Sequence, residues 1–405
     1  MCIVTLKWIR KHLRSSCISR IRDNDELRKL KKFIGYAWTI NSPVVLPENI
    51  LSKNEVIYLN IGNSVVLNTL GVPIINSFEH LCEQLSMTEQ LLYFLTYKKE
   101  YCYDEVVIPK KDKTERKLHV PNLSLKVVQR WILKEILEKI FVSEQTMAFV
   151  PHKNGLKENA KRHKKNIFLL EMDITNFFGT ITEQQVYRLF CNIGYNSKVA
   201  GVLANLCTYN DYLPQGAVTS PYIANLVCYH MDARINGYCS RKDIVYTRYA
   251  DDLTFSSNNR MILNKVEKFI KYIVEDEGFL INEKKTRYLS NDVKKTVTGI
   301  TINDDSIHVD KKFKRNLRAQ IYQSIKSKDY RNNSQILGKI AYVNSIEDGF
   351  RNKMVKYITD IIIKPELAGD QNIVDAFNRN KLFSELPDMV LVQVDDNPFF
   401  SEEDY

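Results

Sequence analysis

The chain has 405 residues, with 58 Lys and Arg against 48 Asp and Glu, a formal net charge of +10 with histidine neutral. Its 44% hydrophobic content, including 22 Tyr and 18 Phe, fills a sizeable core and excludes a disordered chain, while only 14 Gly and 11 Pro exclude collagen-like or low-complexity architecture. The length bounds one large domain or two to three ordinary ones. The basic excess serves solubility or an anionic partner such as nucleic acid, and the placement of the charge decides between them. Apolar stretches such as Val65–Ile75 and Tyr357–Ile363 are short and interrupted, well under the roughly 18–20 residues of a spanning helix. Lys7, Arg10, Lys11 and Arg14 break up any apolar leader segment. A cytoplasmic protein with no membrane partner is expected. The eight cysteines are never closer than eleven residues, so no CxxC pair seeds a zinc site and free thiols in a reducing compartment are expected.

In chain order, residues 1–75 read as a basic, partly helical opening followed by an apolar, β-branched stretch, with the charge run Arg20–Lys32 as a solvated helix face. From Phe78 to Tyr97, Leu81, Leu85, Leu91, Leu92 and Leu95 recur at helical spacing, with a fresh helix start at Thr88-Glu89. Glu105–Pro109 and Arg116–Pro121 read as two short strands around a basic loop, and Leu125–Ile140 as an amphipathic helix. The apolar run Ile167-Phe168-Leu169-Leu170 is typical of a strand buried on both faces, and it delivers Asp173 at its end. Helical stretches follow over Glu183–Thr208, Ser220–Tyr238 and Ile262–Glu277. Between the last two, Val245–Ser256 alternates as a hairpin with Asp251 and Asp252 in its middle. The order is α+β. Lys311–Arg331 is densely basic and leads into helix-like stretches to about Lys364, while Ser384–Tyr405 carries seven acids and no Lys or Arg.

Three acids stand out: Asp173 behind a buried strand, and the pair in Tyr249-Ala250-Asp251-Asp252. Carboxylates brought together by a sheet repel one another unless divalent cations offset the charge. A two-metal site, with Mg²⁺ ions about 3.5–4 Å apart, serves in-line displacement at phosphorus, as in polymerases. The bland reading is a surface hairpin whose Asp-Asp makes a turn. Other parts weigh against it: Leu213–Pro221 places the Gln215-Gly216 turn before a helix, Lys110 and Arg116 sit on the basic hairpin where cations could clamp a triphosphate, and Phe178 is placed to pack under a sugar.

In this order the residues resemble the reverse transcriptases, and among them the bacterial retron enzymes, over roughly Phe78–Lys364. Ile108–Pro121, Asp173–Phe178, Leu213–Pro221, Tyr249–Asp252 and Gly278–Thr286 fall where the family places its motifs, Asn159-Ala160-Lys161-Arg162-His163 matches the retron N-A-x-x-H motif, and Val297-Thr298-Gly299 matches V-T-G. Val218 replaces a common proline, and Gly179-Thr180 replaces Pro-Ser. The resemblance implies a right-hand polymerase fold, with an N-terminal extension (1–75), fingers and palm (76–308), a helical thumb (309–366) and an acidic tail (367–405). It implies a retron reverse transcriptase that binds its cognate structured non-coding RNA (msr-msd), primes from a guanosine 2′-hydroxyl and copies part of the RNA into DNA, giving branched msDNA. Asp173, Asp251 and Asp252 would hold two Mg²⁺ ions, with Mn²⁺ a possible substitute. Phe178 would exclude ribonucleotides and Gln215 would support the incoming dNTP, with Lys110, Arg116 and Gly216 completing the nucleotide site. Asn159, Lys161, Arg162, His163, Tyr249, Lys285, Val297, Thr298 and Gly299 would meet template or RNA, as would Lys312, Arg315, Arg318 and Lys339 of the thumb, whose bland alternative is a solvated helix face.

A separate effector protein and a cellular RNase H are the expected protein partners, in anti-phage defence. The strand-like Met389–Val394 in the acidic tail could add to a sheet edge of that effector or fold back on the thumb. Two other readings stay open: another bacterial reverse transcriptase, such as a group II intron or defence-associated enzyme, and an RNA- and msDNA-binding scaffold for an effector.

Overall fold

The computed structural model describes residues 63–109, 115–302, 306–327, 329 and 331–362. The bulk of the N-terminal extension, the tip of the basic hairpin with Lys110, and the acidic tail lie outside them. Residues 63–70 are helical and bury Leu67 and Leu70, where the apolar, β-branched stretch left the conformation open. Helices α1 (Phe78–Leu85) and α2 (Glu89–Tyr97) are separate because Thr88 accepts a hydrogen bond from the Leu91 N–H and starts a new helix. Strands β1 (Tyr103–Pro109) and β2 (Glu115–Pro121) pair antiparallel with Ile108 opposite Arg116. Asn122 then caps α3 (Leu123–Glu135), which ends in a 3-10 turn over Leu137–Lys139 rather than running to Ile140.

Helix α4 (Gly155–His163) precedes β3 (Phe168–Asp173) and the short α5 (Phe177–Thr180). Four helices follow: α6 (Glu183–Ile193), α7 (Ser197–Cys207), α8 (Ser220–Val227) and α9 (Tyr229–Ser240). The central sheet is completed by β4 (Val245–Tyr249), β5 (Asp252–Ser257) and, after α10 (Arg260–Asp276), β6 (Arg287–Leu289). Its order is β4-β5-β3-β6, antiparallel throughout. The hairpin β7 (Thr296–Val297) and β8 (Ile300–Thr301) leads to three final helices, α11 (Lys311–Ser327), α12 (Asn333–Ile346) and α13 (Phe350–Ile362).

Because side chains alternate along a strand, the two faces of β3 feed two cores. Leu170 and Met172 join Tyr246, Leu253, Phe255 and the helices below the sheet. Leu169 joins Ala160, Val297, Ile300 and the buried faces of α11, α12 and α13. Asp173 shares the Leu169 face by parity, and so do its directly opposed partner Asp252 and, further along, Thr247, Thr254 and Ser256. Helix α4 covers that face behind the acids and contacts β4 and the β7–β8 hairpin. This is the right-hand polymerase layout that the motif order implied, with the basic final helices docked through α4. Among the described residues, no helix is long and apolar enough to cross a membrane, and Cys82, Cys102, Cys191, Cys207, Cys228 and Cys239 are free thiols.

Candidate active site

Tyr249 pairs with Asp252, so Ala250 and Asp251 form the turn between β4 and β5. Ala250 takes φ +54°, a left-handed conformation that a side chain disfavours. One backbone hydrogen bond ties this turn to the end of β3, the Ile174 N–H donating to the Asp251 carbonyl at 2.9 Å. Two more tie that strand end to the segment after α10, the Asn282 N–H donating to the Asp173 carbonyl at 2.7 Å and the Thr175 N–H to that of Leu280 at 2.8 Å. Asp173, Asp251 and Asp252 are thus gathered at one end of the sheet by register and turn geometry, as the sequence pattern predicts. The Lys285 ammonium donates to Asp173 Oδ1 at 2.8 Å.

Desolvation, then the charges of Asp251, Asp173 and Glu171, push the Asp252 carboxyl up to about 7. Desolvation and Asp173 raise Asp251, against the opposing pull of Lys285 and Arg116. The hydrogen bond to Asp173 in turn raises the Lys285 ammonium. A cluster of hard oxygen donors that resists holding its full negative charge suits a divalent cation. Among the described residues no group of three or more His, Cys, Asp or Glu side chains is placed to hold a metal ion by itself; Mg²⁺ usually takes one or two carboxylates and completes its shell with substrate phosphates and water.

Around the acids, Phe177 is buried in the core while Phe178 is half-exposed beside it, ring centroids 5.3 Å apart. An added Cβ at Gly179 would lie 2.6 Å from the Asn176 side-chain amide, which would have to turn away to admit one. The Gln215 carbonyl accepts from the His119 N–H of β2 at 2.8 Å. Gly216, at φ +115°, lies so close that a Cβ would sit 2.8 Å from the His119 carbonyl. The turn's backbone is therefore packed on the β1–β2 hairpin, leaving the Gln215 side chain half-exposed. Arg116 is exposed on β2, and its charge reaches Asp251.

The N-A-x-x-H residues call for a correction. Asn159 and His163 are fully buried between α4 and the sheet and present no surface to RNA. The Thr247 hydroxyl lies between them, 2.5 Å from Asn159 Oδ1 and 2.6 Å from His163 Nε2, and the other ring nitrogen meets the Ser256 hydroxyl at 2.7 Å. Lys161 and Arg162, on the outward side of the same helix, are exposed. Val297 is likewise buried, in the second core. Thr298 and Gly299 form the β7–β8 turn, both with positive φ, and Gly299 is exposed. Thr247 and Ser256 were missed by the motif reading; their only signal was parity with the acids along the hairpin. Tyr249 is half-buried beside the turn. On the last helices Lys312, Arg315 and Arg318 are exposed on α11, Arg318 lies over the Tyr357 ring, and Lys339 is half-buried with its ammonium on Gln320.

Comparison with known proteins agrees with this arrangement. The reverse transcriptase (RNA-dependent DNA polymerase) family matches residues 108–315. The Retron Ec86 reverse transcriptase of Escherichia coli is 31% identical over 301 residues, covering 74% of this chain and 93% of its own length. The Retron Mx65 reverse transcriptase of Myxococcus xanthus is 33% identical over 263 residues, covering 60% and 61%, and the Retron Ec83 reverse transcriptase of Escherichia coli is 28% identical over 277 residues, covering 65% and 88%. The chain belongs to the retron reverse transcriptases, an RNA-directed DNA polymerase family.

Proposed function

We propose that the protein binds a cognate structured non-coding RNA, primes DNA synthesis from the 2′-hydroxyl of a guanosine in it and copies part of it into branched msDNA. The observation that carries this reading is the gathering of Asp173, Asp251 and Asp252 at one sheet end, with the Lys285 ammonium 2.8 Å from Asp173. These acids would hold Mg²⁺, with Mn²⁺ a possible substitute, and the metal would supply activation of the attacking hydroxyl and stabilisation of the leaving pyrophosphate.

Around that centre the chain's own groups bind and orient. Phe178 presents its half-exposed ring to the sugar and rejects a 2′-hydroxyl on the incoming nucleotide. Gln215 lies under that nucleotide, on a backbone turn fixed by His119. Arg116 and Lys285 offset triphosphate charge, and Lys110, outside the described residues, is read from the sequence as a further cation for it. Exposed cations on α4 and α11 track RNA phosphates. A separate effector and a cellular RNase H complete the system in anti-phage defence, with the acidic tail as the effector-facing segment. The test is an Asp251→Asn/Asp252→Asn variant expressed with the upstream non-coding region. DNA attached to the co-purifying RNA disappears while the RNA remains bound. Continued DNA synthesis by this variant removes the assignment.

A further inference from the structure

Arg248 lies one residue before Tyr249 on β4, on the sheet face opposite Asp173 and Asp252, and is fully buried. Taking a guanidinium out of water is costly, and a buried ion pair contributes less to stability than well-packed apolar side chains often do. This one is completely satisfied. Nε donates to Asp232 Oδ1 at 2.9 Å and Nη2 to Oδ2 at 2.8 Å, a two-pronged pair with a carboxylate that is itself fully buried on α9. The remaining donors reach Thr146 Oγ1 at 3.0 Å, Asn225 Oδ1 at 3.2 Å and the Ala250 carbonyl at 3.2 Å. All five N–H groups of the side chain are thereby used. Asp232 is held in turn by the Tyr246 and Thr146 hydroxyls.

We propose that Arg248, braced by Asp232, is a positioning residue for nucleotide addition: it pins the carbonyl of Ala250 and so fixes the turn that carries Asp251 and Asp252. The inference rests on the polymerase reading above. Ala250 is held in the left-handed region at φ +54°, where an alanine needs its surroundings to keep it. The guanidinium is the side chain that holds it from below. It also faces the Phe177 ring at 5.9 Å, next to Phe178, and bonds Asn225 on the helix that follows the Gln215-Gly216 turn. One planar cation therefore joins the acid-bearing turn, the Phe178 segment and the Gln215 segment into one unit. An apolar residue at this position could fill the space but could not fix a carbonyl.

The experiment follows extension of an oligo(dT) primer on poly(rA) by the full chain, with thermal melting in parallel. An Arg248→Met/Asp232→Leu double variant removes both charges together, so no uncompensated charge is left behind. It is expected to fold with a lowered melting temperature, because the Tyr246, Thr146 and Asn225 side chains lose buried partners. Read at a temperature where the variant is fully folded, kcat falls about tenfold to a hundredfold, with KM for dTTP changed by less than about twofold. Arg248→Lys keeps the charge but cannot reach Asp232 and Ala250 together. It should lose kcat in the same way, and it decides the matter if the double variant fails to fold. Folded variants with wild-type kcat overturn the proposal, and so does a KM effect with kcat intact. A wild-type chain that extends no primer sinks the polymerase reading, and this inference with it, which separates the two failures.

Discussion

Asp173 and Asp252 are directly opposed residues of β3 and β5, and the Ile174 N–H following the first donates to the carbonyl of Asp251 preceding the second. Three aspartates are thus brought to one sheet end through a strand register and one backbone hydrogen bond, and their mutual repulsion becomes a property of the fold.

That repulsion sets a pH dependence. With Asp252 raised to about 7, protons and metal compete for the same oxygens, and the proton gains as pH falls through 7. The Mg²⁺ concentration giving half-maximal extension should rise as pH drops from 8 to 6, approaching about tenfold per unit below 7 if one proton is displaced. Rates measured across a Mg²⁺ series at three pH values check this. A requirement that does not move with pH contradicts it.

His163 makes the folded state sensitive to acid. Burial, reinforced by the charge of Arg162, lowers the imidazole to about 3, against about 6.5 in the unfolded chain. The depressed value means that its contribution is present above 6.5 and is lost as pH falls, because only the unfolded chain takes up the proton. Stability should drop by about 2 kcal/mol between pH 6.5 and 5 from this group. Chemical denaturation of wild type and His163→Gln should show a shallower slope in the variant. Thr247→Val, which strips the hydroxyl between Asn159 and His163, should cost about 1–3 kcal/mol. A variant of normal stability that has lost RNA affinity would restore the RNA-reading role to these two side chains.

Two glycines should respond in opposite senses. A Cβ at Gly155 would lie 1.9 Å from the Met147 carbonyl oxygen, whereas nothing lies within 4 Å of one at Gly201 in α7. Gly155→Ala should destabilise by about 3 kcal/mol or more or yield no folded protein. Gly201→Ala should stabilise by about 0.5–1 kcal/mol. Melting temperatures of the pair are the measurement.

Lys312, Arg315 and Arg318 are exposed on one helix, α11. A triple change to Gln should weaken RNA binding without regard to sequence and lower the slope of log affinity against log salt by about 1 for each phosphate that is no longer neutralised. Binding titrations at several salt concentrations read both quantities. An unchanged slope makes this face solvated surface only.

How much of this was legible in the sequence depended on whether the signal was local. Asp173, Asp251 and Asp252 could be placed because an apolar run and an alternating hairpin fix the strand ends by local pattern. The two-helix division at Thr88 was legible for the same reason, since a cap is a local signal. Asn159 and His163 were placed on the wrong side of α4 as RNA contacts, because a short polar motif does not state which way its helix faces. That orientation is decided by Ala160, which sits in the second core between them. Arg248 carried no signal at all: a basic residue in an alternating strand reads as solvent-facing until Asp232, sixteen residues earlier, is brought beneath it.

The central claim is tested most directly by expressing the chain with its upstream non-coding region and examining the nucleic acid that co-purifies. The account predicts a discrete short DNA linked to RNA, resistant to RNase and sensitive to DNase, which vanishes in Asp251→Asn/Asp252→Asn while the RNA stays bound. Co-purifying RNA with no DNA in the wild type, or DNA that persists in the variant, would contradict it.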